Sequence, residues 1–87
     1  LVSFLNGAIL WLTFHHDASM QVIVAFDLVE RSFSEIPLPV DFVCDFNFCD
    51  LAVLEESLHL IVFLAEIWDM QEYKVQSSWT KTIDVSI

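Results

Sequence analysis

The order of residues in the first half of the chain recurs in the second, and this internal repeat limits the available folds more than any single residue does. Leu5-Asn6-Gly7-Ala8-Ile9-Leu10-Trp11-Leu12 aligns with Leu54-Glu55-Glu56-Ser57-Leu58-His59-Leu60-Ile61: strand end, polar turn, apolar strand. Further on, Phe26-Asp27-Leu28 aligns with Trp68-Asp69-Met70, and Phe33 aligns with Trp79 after a longer turn over residues 71–78. Each half reads as four short strands, and a four-stranded unit of about 45 residues is the size of one propeller blade. The predicted class is therefore all-β: antiparallel four-stranded repeats forming a section of a β-propeller-like domain. The units cover about residues 1–39 and 51–87, joined by an acidic and aromatic connection over 40–50. Two blades cannot close a ring, so their outer strand edges are expected to stay open.

Local signals support the strands. Asn6-Gly7 contains the only glycine and is the strongest hairpin dipeptide in the chain, because a type I′ turn needs positive φ at both central residues. Trp11 sits mid-strand, where a large ring can fill a gap between sheets. Val22 to Phe26 is a short run of β-branched, small and aromatic residues, and Phe33-Ser34-Glu35-Ile36 alternates as a half-buried strand should. Pro37 and Pro39 remove two backbone donors, so that second strand belongs at a sheet edge. Trp11, Phe26, Phe33, Trp68 and Trp79 are expected in the packing between units, and Asp27 and Asp69 are expected to cap strand ends through local backbone N–H groups. The competing reading is a single amphipathic helix over residues 51–73, giving an α+β domain: Leu51, Leu54, Leu58 and Ile61 fall at helical spacing with no Gly or Pro between them.

At 87 residues with 56% apolar and 18% charged side chains, the chain holds more core material than one small domain usually needs. Leu1 falls directly in an apolar segment and Ile87 within an expected strand over 82–87, so the chain reads as a fragment or a truncated gene product. Its formal charge of −10, from 13 acidic and three basic residues, opposes binding to nucleic acid or an anionic membrane and favours a basic partner. The longest apolar run, residues 60–65, is too short to span a bilayer, and no basic n-region opens the chain. A cytoplasmic or nuclear location is expected, with Cys44 and Cys49 as thiols rather than a disulfide.

Few residues suggest chemistry. His15-His16-Asp17 sets three ligand types side by side, but neighbours in an extended chain point in opposite directions and do not close on one metal. Asp41, Asp45, Asn47 and Asp50 offer hard oxygens without the turn glycine and closing glutamate of a calcium loop. Cys44 or Cys49 with His59 could make a nucleophile and base, yet no family signature surrounds either cysteine. A lone glycine leaves no phosphate loop. The expectation is no catalytic residue, no metal and no cofactor: not an enzyme.

Four stretches, FLNGAILWL (residues 4–12), VAFDL with FSEIPLP (24–28 and 33–39), LAVLEESLHLIV (51–62) and EIWDMQEYKVQSSWTK (66–81), stand in an order and spacing that resembles the plant F-box-associated interaction domain, especially of S-locus F-box and F-box/kelch-repeat proteins. The resemblance covers nearly the whole chain. It implies a protein-binding module: the substrate-recognition part of an SCF-type ubiquitin ligase. The Skp1-type adaptor would be reached only through an F-box outside this chain, and variable loops would hold a target protein. The loop candidates are His15, His16, Asp17, Asp41, Asp45, Asn47, Asp50, Glu72 and Tyr73, while Gly7, Trp11, Phe26, Asp27, Phe33, Pro37, Pro39, Trp68, Asp69 and Trp79 are the structural positions. Leu10 stands where the family often has a histidine before the tryptophan, and Glu56 replaces the glycine often seen in the second hairpin turn. The alternatives are a truncated non-functional copy, or a small acidic ligand-binding domain whose affinity would depend on His15, His16 or the acids of 41–50.

Overall fold

Asn6 and Gly7, at φ 51° and 74°, form a two-residue hairpin turn in the computed structural model, which describes residues 2–14, 21–40, 42, 48–63 and 65–84. The turn pairs Leu5 with Ala8 and so joins β1 (Ser3–Leu5) to β2 (Ala8–Phe14). β3 (Gln21–Asp27) runs antiparallel along the whole of β2, and β4 (Ser32–Ile36) pairs with β3. Asp27 closes the β3–β4 turn: its Oδ1 accepts the N–H groups of Val29 and Glu30 at 2.9 and 2.8 Å, and its carbonyl accepts that of Arg31 at 2.8 Å. A short acidic side chain at a strand end can hold the next backbone donors in this way. β4 is an edge strand and ends at Ile36, directly before Pro37.

The second sheet repeats the order with β5 (Cys49–Leu54), β6 (Ser57–Val62), β7 (Glu66–Met70) and β8 (Trp79–Asp84). Residues 51–73 therefore do not form the helix of the α+β alternative. Leu51 and Leu58 are buried, whereas Leu54 is 47% exposed and Ile61 shares its strand with buried Leu60 but faces the other way. The apparent helical stripe is split between the two faces of a hairpin, and the chain is all-β. The β7–β8 connection winds through a 3₁₀ helix (Gln76–Ser78) and is closed by the Gln71 N–H donating to Ser78 O at 3.1 Å. Within the β7–β8 ladder Ile67 opposes Ile83 and Trp68 opposes Lys81; Thr82 is the extra residue of a bulge, and its hydroxyl donates to Ile67 O at 3.2 Å.

The second hairpin makes the same two-residue turn with glutamates. Glu55 and Glu56 stand at φ 51° and 62°, in the left-handed region, and Leu54 pairs with Ser57. A Cβ makes that region costly, and two adjacent carboxylates repel each other besides. Replacing them by the residues of the first turn, Glu55→Asn with Glu56→Gly, is expected to stabilise the chain by about 1–2 kcal/mol. A thermal melt checks this, since a gain of that size raises Tm by several degrees in a domain this small.

One core joins the sheets: Leu5, Ala8, Leu10, Ile23, Ala25 and Ile36 of the first lie with Leu51, Leu58, Leu60, Met70 and Trp79 of the second, and Leu38 between. Counting from the two turns, the buried residues of β2 are the first and third, Ala8 and Leu10. Those of β6 are the second and fourth, Leu58 and Leu60. Because side chains alternate across a strand, the two sheets offer opposite faces to the shared core. They are stacked front to back.

Strand register also decides which residues correspond. In the first sheet Phe4, Ile9, Phe26 and Phe33 are partners in one row across all four strands. From the second hairpin the matching row runs Val53, Leu58, Met70, Trp79, with Met70 one step beyond the His59–Asp69 pair. Phe33 and Trp79 therefore correspond, as their places in the repeat suggest. The triplets Phe26-Asp27-Leu28 and Trp68-Asp69-Met70 do not, being displaced by two residues. Met70 stands where Phe26 does. Asp69 stands where Ala25 does, inside the strand, and so has no turn to cap.

Candidate binding surface

The segment after β4 is the seam between the sheets. Trp79 donates its indole N–H to Pro37 O at 2.9 Å, and Gln76 donates its side-chain amide to Leu38 O at 2.8 Å. Pro39 is buried beside them. The two prolines that end the first sheet thus leave carbonyls in an extended segment, free of ladder bonds, which the second sheet uses as acceptors.

Of the loop residues singled out in the sequence, His15, His16, Asp17, Asp41, Asp45 and Asn47 lie outside the described residues, as does Cys44. Asp50 is not in a loop: it belongs to β5, and its Oδ1 accepts the Leu51 N–H at 2.8 Å. Glu72 and Tyr73 lie in the β7–β8 connection, where the Glu72 carbonyl accepts the Val75 N–H at 3.0 Å. Tyr73 packs on the core, and Lys74 lies over its ring, 5.5 Å from the centroid. The described candidates do not converge on one cavity.

Nor do the chemical groups assemble. Cys49 pairs with Val62 on the inward face of the second sheet, while His59 pairs with Ala52 and Asp69 on the outward face, so that thiol and that imidazole are separated by the sheet. His59 Nδ1 is 3.0 Å from Ser57 O and carries the proton it donates there, which turns Nε2 toward Asp69 Oδ1 at 3.7 Å. That oxygen is buried and has no hydrogen-bond partner among the described residues; Asp69 Oδ2 instead accepts from Gln71 Nε2 at 2.8 Å. Among the described residues no three of His, Cys, Asp and Glu are grouped to hold a metal ion, and no helix is long and apolar enough to cross a membrane.

What the fold does collect is an aromatic face on the first sheet, turned away from the second. Trp11, Phe26 and Phe33 were expected between the two units; of the aromatic set only Trp79 is buried there, with Trp68 packed against it. Trp11 and Phe26 are half-buried on the opposite face and Phe33 is 68% exposed. Phe33 meets Phe26 at 4.7 Å between ring centroids and Trp11 at 6.3 Å, edge on. Phe4, 63% exposed, Ile9 and Val24 extend the face, and Glu35, opposite Val24, places a carboxylate on it. Phe4, Ile9 and Val24 were not singled out as candidates. Their signal in the sequence is that Ile9 falls between Ala8 and Leu10, and Val24 between Ile23 and Ala25, all destined for the core, while Phe4 directly precedes another core residue, Leu5.

The surface around these faces is acidic. Two of the three basic side chains are held within the chain: Lys74 over Tyr73, and Lys81 against Glu66 Oε2 at 3.2 Å, Asp84 Oδ2 at 3.4 Å and the Trp68 ring. The hydrogen bond to Glu66, with the charge of Asp84 behind it, keeps the Lys81 ammonium above its ordinary value. Trp68 fixes that carboxylate by donating to Glu66 Oε1 at 2.7 Å.

Tyr73 is the only tyrosine, and its buried hydroxyl has no hydrogen-bond partner among the described residues. Burial, and after it the negative charge of Asp27, push the phenol above its usual 10.0. The folded chain therefore holds this proton more tightly than the unfolded chain does. That contribution to stability is present below the usual tyrosine value and is lost as pH rises through the folded one. Phenolate absorbance should rise later in the folded chain than in urea, and stability should fall through the same alkaline range. Tyr73→Phe is expected to remove that alkaline loss without cost at neutral pH, because it deletes an unsatisfied hydroxyl.

No protein-family model, curated protein or solved structure matches the chain.

Proposed function

We propose that this chain is a protein-binding module, part of the substrate-recognition domain of an SCF-type ubiquitin ligase F-box protein. Its two sheets are neighbouring blades of a propeller-like domain, and it carries out no reaction itself. The observation that carries this reading is the front-to-back stack of two four-stranded repeats, an arrangement that extends to further units where a face-to-face sandwich would close on itself. The acidic surface fits a target with a basic contact region, with charge speeding the encounter. The Skp1-type adaptor binds through an F-box outside these residues, and the assembly works in the cytoplasm or nucleus.

Sequencing the transcript outward from both ends of this segment tests the proposal. The expected reading frame continues upstream into an F-box and downstream into more four-stranded repeats, and its product captures a Skp1-type adaptor while residues 1–87 alone do not. A frame without an F-box, or a full product that fails to capture the adaptor, overturns the ligase assignment.

A further inference from the structure

The two hairpin turns occupy equivalent places but differ in chemistry. Asn6-Gly7 closes the first and Glu55-Glu56 the second, all four residues at positive φ. Only the first sets a side-chain amide directly before a residue without a Cβ. Asn6 and Gly7 are both exposed, and no atom beyond the chain neighbours lies within 4 Å of where a Cβ on Gly7 would stand. The closing pair of the hairpin is Leu5 and Ala8, so the Gly7 N–H between them lies outside the ladder. A glycine nitrogen is the least obstructed of backbone nitrogens, for the same reason that glycine lets a backbone approach a ligand closely. The other asparagine, Asn47, precedes a phenylalanine, and a bulky side chain hinders its own backbone nitrogen.

We infer that Asn6-Gly7 is a site of spontaneous deamidation in the folded chain, and that its isoaspartyl product loosens β1. The Gly7 nitrogen attacks the Asn6 side-chain carbonyl carbon, so that a new C–N bond forms while the side-chain amide bond breaks. Ammonia leaves with the proton that the Gly7 nitrogen gives up, and a five-membered succinimide remains. One water then opens the ring. Cleavage at the side-chain carbonyl gives aspartate with the main chain unchanged. Cleavage at the main-chain carbonyl gives isoaspartate, in which the chain runs through the side-chain carbons and is longer by one methylene. Nothing is oxidised or reduced, and water is the only co-reactant. The chemistry depends on the turn alone and is independent of the ligase reading.

The two products differ in what they do to the fold. Asp-Gly also makes the tight turn, because aspartate tolerates positive φ. An extra main-chain methylene does not fit a two-residue turn, whose geometry sets the register of the strands it joins. β1 is only three residues long, Ser3–Leu5, and its pairing with β2 begins at this turn. The turn is also tied to its neighbour, since the Leu28 N–H donates to Gly7 O at 3.0 Å. Leu5 and Ala8, on either side of it, belong to the shared core. Isoaspartate therefore disturbs the hairpin and the core beneath it, and either product adds a negative charge to a chain already at −10.

Incubating the folded 87-residue chain at mildly alkaline pH, beside the same chain in urea, tests this, with peptide mapping to locate the change of amide to acid. Conversion is expected at Asn6, with the isoaspartyl share detected by methylation with an isoaspartyl methyltransferase. Its rate in the folded chain should stay within about tenfold of that in urea, since an exposed turn tip opens locally at little cost. Slower conversion than that overturns the inference, as does conversion at Asn47 ahead of Asn6. The isoaspartyl form, separated by chromatography, should unfold at lower urea than the starting chain, whereas Asn6→Asp keeps the original midpoint. An isoaspartyl form as stable as Asn6→Asp overturns the effect on β1. Asn6→Gly retains a turn-forming pair without the amide, and should neither convert at that position nor lose stability over the same period. A loss on incubation that Asn6→Gly shares would place the damage elsewhere and overturn the assignment.

Discussion

Trp79→Ala is expected to remove about 3–5 kcal/mol of folding stability, the range for deleting a large ring from a core. Trp79 is 7% exposed, stands in the central row with Leu58 and Met70, and its N–H satisfies Pro37 O across the seam. The truncation leaves a cavity between the sheets and a carbonyl without its partner. Since a domain of this kind has only about 5–15 kcal/mol in total, urea unfolding should show the midpoint collapsing. Trp79→Phe separates the two contributions, because it retains most of the ring and loses the donor; its expected cost is about 1–3 kcal/mol. Trp11→Ala is the control. The same truncation on the half-buried outer face should cost less than half as much in dilute solution. Equal losses would mean that the aromatic face is covered after all.

Leu10→Ala and Leu60→Ala are each expected to cost about 2–5 kcal/mol, and their counterparts in the repeat should not. Leu10 is the third residue after the first turn and His59 the third after the second, yet Leu10 is fully buried and His59 faces outward. Leu60 is fully buried, and its counterpart Trp11 faces outward. His59→Ala should therefore change the urea midpoint by the equivalent of about 1 kcal/mol at most, in line with substitutions outside the core. A larger loss at His59 than at Leu10 would contradict opposite-face packing and require both sheets to bury the same face.

The strands themselves were legible because each is announced by local chemistry. Asn6-Gly7 can reach positive φ, so the first hairpin and its register followed from two residues. The second was legible only through the repeat, since Glu55-Glu56 would not be chosen for a turn on its own. Asp27 was placed well as a cap because the residues after it form a turn whose amides need an acceptor. Asp69 was misplaced by the same logic: its aromatic and aliphatic neighbours imitate those of Asp27, but strand pairing puts it two residues deeper, and Gln71 holds the end position.

Which face points inward was beyond the sequence. Ala8, Ile9, Leu10, Trp11 and Leu12 are apolar on both sides of the strand, so alternation assigns neither side to the core, and Trp11 was expected there on size alone. By itself the sequence pointed to two four-stranded repeats, their strand order and the first hairpin turn, because hairpin formation depends on neighbours and on backbone φ, while the helix over residues 51–73 stayed open until the strands of the second sheet excluded it. Only the tertiary structure decided that the sheets stack front to back, that Trp79 reaches Pro37, and that Phe4, Phe26 and Phe33 face away from the core. Those outcomes depend on which of two nearly equally apolar faces meets the second sheet, and that choice is made by contacts between residues some forty positions apart.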